Sequence, residues 1–528
     1  MKKTKIALFA GLILLAVLLF SCSSNSGYQF GMQKAYAQRS APDESKWVII
    51  KEEFDQRNFD AIIDNSFRLV GDYPLSTFSI DVDTAGYAIA RRYLEGSRMP
   101  PASAIRIEEL INYFDYDYSP PTDGKPFAVH TEVGTAPWNP DHLLARIAIK
   151  GMEFPSNERP QVNLVFLIDV SGSMETLTRL PLVIESMKML VNQLKGTDKV
   201  AICVYAGAAG TVLPPTSCDN KQKIIQALEK LRAGGSTAGG AGIQLAYDLA
   251  EQSFNPQAVN RVILCTDGDF NVGITNRGDL LNLVTEKAKT GVYLTVLGFG
   301  MDNFHDGTLK QLASRGNGNY GYLDTIEEAH KILVRQLSGT LITIAQDVKI
   351  QVEFNPANVG AYRLIGYENR VMRDEDFSDD SKDAGDIGAG HTVTSFYEII
   401  PPGKEADALP RRDLLKYGQP QASYEPEYTD ELLTVKVRYK LPTEAASKLI
   451  SFPVETASIC KPGTESLDFR FAASVAGFGM LLRNSQYKGN ATYASVISMA
   501  QNALGEDKWG FRSSFVGLAK KAESLGKR

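Results

Sequence analysis

Hydroxyl and carboxylate side chains follow one apolar run of the sequence at steps of two. The run occupies 162–168, and Asp169, Ser171 and Ser173 come directly after it. An apolar run of this length predicts a buried strand, and steps of two in an extended turn aim side chains in the same direction. Oxygen ligands with few carboxylates suit a hard divalent cation and leave it electrophilic toward an outside acid. This peptide therefore predicts one side of a metal site.

Two later peptides offer further oxygen atoms. Thr237 lies in a Gly-rich loop at 234–240 that precedes a predicted helix, and Asp267 closely follows a second apolar run at 261–265. In an open parallel sheet, ligands bind beyond the carboxyl ends of the strands, which is where all three peptides are expected to lie. A turn capped by serine, without any metal, is the alternative interpretation of the first peptide.

Apolar runs alternate with amphipathic segments between residues 161 and 340. This alternation predicts a doubly wound α/β domain with a mostly parallel sheet that is covered on both faces. The predicted strands are 162–168, 200–205, 261–265 and 292–297, and the predicted helices lie near 181–194, 221–232, 239–252, 279–289 and 325–337.

The pattern changes after about residue 343, where strands of an antiparallel sheet and then helices are predicted. We expect the strands at 127–150 to join those of 346–456 in one β-sandwich beside the α/β domain. The reasons are that neither set alone closes a sheet and that the ends of an inserted domain lie close together. The later predicted strands are 348–354, 393–400 and 432–439, and the predicted helices are 469–483, 491–503 and 511–522.

The N-terminus has the layout of a bacterial lipoprotein signal. Basic residues precede an apolar stretch at 6–20, which is too short for a comfortable membrane span. The peptide Leu-Phe-Ser-Cys that ends at Cys22 is similar to a lipobox, in which the cysteine is acylated and becomes the first mature residue. We therefore expect a cell-envelope protein anchored through Cys22 to the outer membrane or to the periplasmic face of the inner membrane. Simple secretion is the alternative.

These patterns predict a division of the whole chain. The parts are a lipoprotein signal peptide at 1–21, a tether at 22–45, an N-terminal segment at 46–122, β-strands joining the C-terminal sandwich at 123–160, the α/β domain at 161–340, the β-sandwich at 341–460 and C-terminal helices at 461–528.

Composition and charge argue against several classes of function. The chain has 528 residues, of which 44% are hydrophobic and 22% charged, as in ordinary globular proteins. Its net charge of −6 gives no gain from counterion release, so no nucleic-acid partner is expected. The five histidines are widely separated and lack the HExxH spacing of zinc enzymes. A disulfide between Cys218 and Cys460 is left open.

The oxygen-bearing side chains together resemble the metal-ion-dependent adhesion site of the von Willebrand factor type A family. They are Asp169, Ser171, Ser173, Thr237 and Asp267. The resemblance implies that the three hydroxyls bind Mg²⁺ or Mn²⁺ directly and that the two carboxylates act largely through water. A Glu or Asp of a protein partner would then complete the coordination of the metal.

The flanking sequence resembles a bacterial subfamily of lipoproteins that carry this domain. The peptide 74–84 is similar to the N-terminal segment of that subfamily, and 363–370 with 388–391 is similar to its C-terminal segment. With these peptides the resemblance spans most of the mature chain.

The resemblance favours a binding module, used for adhesion or as a scaffold, rather than an enzyme. One alternative is an envelope scaffold in which the metal has a purely structural role and only holds loops together. The other is a metal-assisted hydrolase of envelope polymers, for which the site offers no general base at a matched position. The sequence leaves the partner and the oligomeric state open.

Overall fold

A computed structural model of the protein describes most of the chain after its first sixty residues. The described residues are 61–80, 83–155, 158–235, 239–268, 277–300, 306–405, 430–442, 444 and 446–527. Cys22 and Thr237 lie outside them. Within these residues, none of the helices combines the length and the apolar character needed to cross a bilayer.

The described strands and helices follow one another along the chain in mixed order. The strands are β1 (Arg68–Leu69), β2 (Leu75–Ser79), β3 (Phe127–Thr135), β4 (Leu143–Gly151), β5 (Val162–Asp169), β6 (Lys199–Tyr205), β7 (Ala209–Ser217), β8 (Val259–Thr266), β9 (Val292–Phe299), β10 (Tyr320–Leu323), β11 (Thr343–Phe354), β12 (Ala361–Ile365), β13 (Val371–Met372), β14 (Gly385–Gly388), β15 (Thr392–Ile400), β16 (Glu431–Lys440) and β17 (Lys448–Glu455). The α-helices are α1 (Ala85–Glu95), α2 (Ile107–Ile111), α3 (Leu180–Gln193), α4 (Lys221–Glu229), α5 (Gly239–Gln252), α6 (Arg277–Lys289), α7 (Asp306–Arg315), α8 (Ile326–His330), α9 (Leu337–Leu341), α10 (Leu467–Arg483), α11 (Tyr493–Gln501) and α12 (Phe511–Gly526).

The central sheet has the order β10-β9-β8-β5-β6-β7, and its neighbouring strands are parallel except for the antiparallel pair β6 and β7. The chain leaves β5 toward β6 on one side and later returns to β8 on the other. The order of the strands therefore switches at the carboxyl end of β5, where α/β sheets bind ligands. The predicted fold class, with its mostly parallel sheet, is confirmed.

Strand β5 is buried at every position because helices cover both of its faces. Phe166 packs in one apolar cluster with Met187 of α3. Its neighbour Leu167 packs in another cluster with Ile243 of α5. Successive side chains of a strand point to opposite faces, so a continuous apolar run is what a central parallel strand requires.

Two antiparallel sheets form the sandwich. One has the order β1-β12-β15-β4-β3, and the other has β13-β2-β11-β16-β17 with β14 paired to β11. Ile147 of β4 and Tyr397 of β15 share an apolar cluster with Val352 of β11 and Val435 of β16, so the two sheets have a common core. The sandwich uses strands from both sides of the α/β domain, which is therefore an insertion between β4 and β11.

The C-terminal helices pack against the segment between β2 and β3. The ring of Phe114 lies 5.0 Å from that of Phe471 in α10 and 5.6 Å from that of Phe515 in α12. Asn112 joins the same segment to the sandwich, because its amide donates to the Thr394 carbonyl at 3.1 Å and its Oδ1 accepts from the Thr394 N–H at 2.7 Å.

A buried polar network ties α1 to the end of the α/β domain. The Arg91 guanidinium lies 2.5 Å from the Asp324 carboxylate and 3.0 Å from that of Glu328. The Tyr113 hydroxyl also donates to Glu328, at 2.8 Å. The Lys331 ammonium donates to the Tyr113 carbonyl at 2.5 Å. The two acidic side chains are only 6% and 1% exposed, so their charges depend on these partners.

Replacing Arg91 by alanine should destabilise the protein by about 3 kcal/mol, because it leaves two buried carboxylates without their cation. Urea unfolding followed by circular dichroism measures this loss. Lys289→Ala removes an exposed ion pair with Glu286 and should leave the unfolding midpoint almost unchanged. Equal midpoints for Arg91→Ala and Lys289→Ala would contradict a structural role of the network.

Candidate metal site

The structure brings the two predicted carboxylates to the same edge of the central sheet. Asp169 is the last residue of β5, and Asp267 directly follows β8. These strands are adjacent and parallel, with Ile168 paired to Cys265. Both acidic residues therefore lie at the carboxyl edge where the strand order switches.

The Asp169 carboxylate is fully buried at the end of its strand. Its Oδ1 accepts the Ser171 backbone N–H at 2.8 Å, whereas its Oδ2 accepts no hydrogen bond of normal geometry from a described residue. Burial raises the pKa of Asp169 to about 6, with a smaller contribution from the charge of Asp267, while hydrogen bonds from Ser171 and Tyr205 oppose the rise. A buried carboxylate oxygen without a partner is costly, and a cation would remove that cost.

The two predicted serine hydroxyls lie side by side. Ser171 Oγ is 3.0 Å from Ser173 Oγ, and Ser171 is only 2% exposed whereas Ser173 is open to solvent. The turn continues as a 3₁₀ helix over Gly172–Glu175, which is anchored by the buried side chain of Met174. The turn therefore presents one hydroxyl from the interior and one at the surface.

The Gly-rich loop contacts this turn through its backbone. The Gly172 N–H donates to the Gly235 carbonyl at 3.1 Å, and the Gly234 N–H donates to the Val170 carbonyl at 2.7 Å. Gly235 has a φ of +94°, which favours glycine at this close approach. The described part of the loop thus ends against the serine turn, two residues before Thr237.

Arg179 is a residue of this site that the sequence did not reveal. Its Nη1 lies 3.1 Å from Asp267 Oδ2 and donates to the Ser173 carbonyl at 2.5 Å. Arg179 precedes α3 and is only 8% exposed. A basic residue before a helix has no special pattern, so nothing in the sequence distinguished it from the other arginines.

We call Asp169, Ser171, Ser173, Asp267 and the predicted Thr237 the oxygen site. Its candidate metal ligands are carboxylate and hydroxyl oxygens, which are the ligands of hard cations such as Mg²⁺. Across the described parts of the chain, no group of three or more His, Cys, Asp or Glu side chains is placed to hold a metal. A cation at this edge would therefore depend on hydroxyls as well as on carboxylates. The buried Oδ2 of Asp169, which accepts no hydrogen bond of normal geometry from a described residue, is consistent with a cation.

The four cysteines among the described residues form no disulfide bond. Cys218 and Cys460 are both free thiols in the structure, so the disulfide that the sequence left open is not formed there. Cys203 and Cys265 are free and buried within β6 and β8.

Three family models match successive parts of the chain. Residues 163–335 match the von Willebrand factor type A domain. Residues 53–146 match a model described as von Willebrand factor. Residues 339–525 match the C-terminal domain of the uncharacterized protein YfbK.

Similar proteins include one that spans most of the chain. The uncharacterized protein YfbK of Escherichia coli is 42% identical over 469 residues, which cover 88% of this chain and 80% of that protein. Human inter-alpha-trypsin inhibitor heavy chain H2 is 28% identical over 196 residues, 35% of this chain and 20% of that protein. A von Willebrand factor type A structure from Catenulispora acidiphila covers 78% of this chain and 97% of its own, with 15% identity and a TM-score of 0.39. The chain thus belongs to the bacterial family of von Willebrand factor type A domain proteins that includes YfbK.

Proposed function

We propose that this protein is a metal-dependent binding module of the cell envelope, in which the oxygen site holds Mg²⁺ or Mn²⁺ and captures a Glu or Asp side chain of a protein partner. Its central domain is a von Willebrand factor type A domain, which is a protein-interaction module. The observation that carries the proposal is the fully buried Asp169 carboxylate, whose Oδ2 accepts no hydrogen bond of normal geometry from a described residue, at an edge that also presents two adjacent serine hydroxyls.

Each residue of the oxygen site has its own part in this proposal. Ser171, Ser173 and Thr237 would bind the cation directly, and Asp169 and Asp267 would hold it largely through water. Neutral hydroxyl ligands leave the positive charge of a bound divalent cation available to an outside carboxylate. Ser173 is the described hydroxyl at the surface, so the partner would approach from its side.

A purely structural metal is less well supported. Two backbone hydrogen bonds already join the Gly-rich loop to the serine turn, and Arg179 already joins Asp267 to Ser173. These contacts hold the loops together without a cation. A metal is therefore not needed to hold these loops together. In a binding site for an acidic partner, by contrast, the cation is needed for recognition of the partner.

The segment that joins Ser173 to Arg179 also exposes an apolar side chain. Leu177 lies between Ser173 and Arg179 in the chain and is 84% exposed. Large apolar groups exposed to this extent are favourable contacts for a partner when water is excluded around them. The partner is therefore expected to place an apolar residue near its acidic one.

The place of action in this proposal is the membrane surface. Acylation of Cys22 would anchor the protein to the outer membrane or to the periplasmic face of the inner membrane, and residues 23–45 would act as a tether. The net charge of −6 makes a protein partner more suitable than a nucleic acid.

Replacing Asp169 by asparagine should stabilise the metal-free protein by about 2 kcal/mol at pH 7.5. Burial raises the pKa of Asp169 to about 6, so the ionised form opposes folding; this cost appears as the pH rises from about 4 to about 6 and is fully present above. Denaturant unfolding in EDTA measures the gain, and Asp248→Asn, on an exposed helix face, is the matched control.

The same variant should lose the stabilisation that Mn²⁺ gives to the wild type. Mn²⁺ is expected to raise the melting temperature of the wild type and of Asp248→Asn but not that of Asp169→Asn. A rise of equal size in all three proteins would place the cation elsewhere.

Capture of a partner should require both the metal and the carboxylates of the partner. Immobilised full-length protein should retain envelope proteins in Mn²⁺ and release them in EDTA. Retention should disappear when the extract is first treated with a carbodiimide and glycinamide, which convert carboxylates to amides. The double variant Ser171→Ala, Ser173→Ala should also lose retention, whereas Ser524→Ala, at an exposed site on α12, should keep it. The same proteins retained in EDTA or by the double variant would contradict the proposal.

Substitution of Cys22 by serine should release the protein from membranes, because acylation would supply the anchor. Fractionation of cells that express the wild type or Cys22→Ser, followed by detection of the protein in the pellet and supernatant, measures this change. Sedimentation of Cys22→Ser with the membranes would count against acylation.

A further inference from the structure

A guanidinium group stands at the edge of the oxygen site. Arg179 Nη1 lies 3.1 Å from Asp267 Oδ2, and its hydrogen bond to the Ser173 carbonyl joins the turn after β5 to the turn after β8. The side chain of Arg179 is 10% exposed and that of Asp267 is 3% exposed. Contacts between opposite charges that are this well shielded from water are stronger than surface ion pairs.

Gly300, the residue after β9, also restricts the position of Arg179. Gly300 has a φ of +84°, and a Cβ atom there would lie 2.5 Å from Arg179 Nε. The Gly300 carbonyl accepts a hydrogen bond from the Tyr322 hydroxyl at 2.5 Å, which holds Gly300 in place. The guanidinium therefore occupies a slot between Gly300, Asp267 and the Ser173 carbonyl.

Arg179 changes the net charge of the described charged groups at the site. Asp169 and Asp267 contribute two negative charges and Arg179 one positive charge, so these three groups have a net charge of −1 when no metal is bound. A divalent cation would change this to +1. Without Arg179 the corresponding values would be −2 and 0.

We propose, on the basis of the function proposed above, that Arg179 is a resident counter-ion of the oxygen site. Its positive charge lowers the affinity of the oxygen site for a divalent cation. The same charge gives the metal-loaded site a net positive charge, which selects an anionic ligand. In the metal-free protein the same side chain holds Asp267 and the serine turn together. Arg179 is thus a specificity-determining residue for acidic partners. Its effects on the metal and on the anion have opposite directions.

Titration of the full-length protein with Mn²⁺ alone tests the first effect. The paramagnetic resonance signal of free aqueous Mn²⁺ gives the dissociation constant, which should fall about tenfold in Arg179→Gln because a like charge is removed beside the site. Arg179→Lys keeps the charge and should stay within about threefold of the wild type. Unchanged or weaker Mn²⁺ binding by folded Arg179→Gln overturns the proposal.

Gly300→Ala offers a second variant that leaves the charges of the chain unchanged. Its Cβ would displace the Arg179 guanidinium from the slot, so it should also tighten Mn²⁺ binding. If Arg179→Gln does not fold, the Mn²⁺ affinity of Gly300→Ala tests the proposal instead. An affinity of Gly300→Ala equal to that of the wild type overturns the role of Arg179. If the wild type itself binds no Mn²⁺, the metal assignment under the proposed function fails, and this inference fails with it.

Acetate is the probe for the second effect. At equal Mn²⁺ occupancy, proton relaxation of the acetate methyl group should be enhanced by the wild type and much less by Arg179→Gln, since the latter has no net positive charge at the loaded site. Acetamide has the same shape without the charge and should show little enhancement with either protein. Equal enhancement of acetate relaxation by wild type and Arg179→Gln overturns the selection of anions by Arg179.

Discussion

The candidate metal site depends on the carboxylate of Asp169, which is buried away from water. Asp169 ends the central strand β5, which has strands on both sides and helices over both faces, so its carboxylate is fully buried. Burying a carboxylate is costly unless the charge is paired, and the hydrogen bond from the Ser171 N–H offsets only part of that cost. Asparagine would keep this hydrogen bond without the charge. The presence of aspartate is therefore the physical argument for a cation at this edge.

The rest of the fold restrains the domain that carries this edge. The α/β domain is inserted between β4 and β11, so its two ends are fixed by strands of the sandwich. Its last segment, which follows β10, is also held by Arg91 of the N-terminal segment through Asp324 and Glu328. Because these contacts are buried and charged, the segment has few alternative positions. The site is thus built on a domain that is restrained from both flanks.

Sequence patterns predicted the α/β class because its central strands are continuous apolar runs, as the burial of all of β5 explains. They missed β7, an edge strand that contains Pro214 and Pro215, because prolines interrupt a strand pattern and are accepted only where a strand lacks one neighbour. The single helix predicted near 325–337 is divided into α8, a π-helical turn over Lys331–Arg335 and α9. Helical periodicity continues through such a turn, so the sequence does not reveal it.

Sequence patterns placed Asp169 and Asp267 at one edge of the sheet, as the structure does, but did not indicate the arginine that pairs with Asp267. Spacing and strand order are enough to bring Asp169 and Asp267 together, whereas the approach of Arg179 depends on Gly300 and on the start of α3. This difference bears on the hydrolase alternative. Asp169 accepts the Ser171 N–H at Oδ1 only, whereas Asp267 is paired with Arg179. A general base must be free to take a proton from water, so Asp267 is less available for that role than an unpaired carboxylate would be.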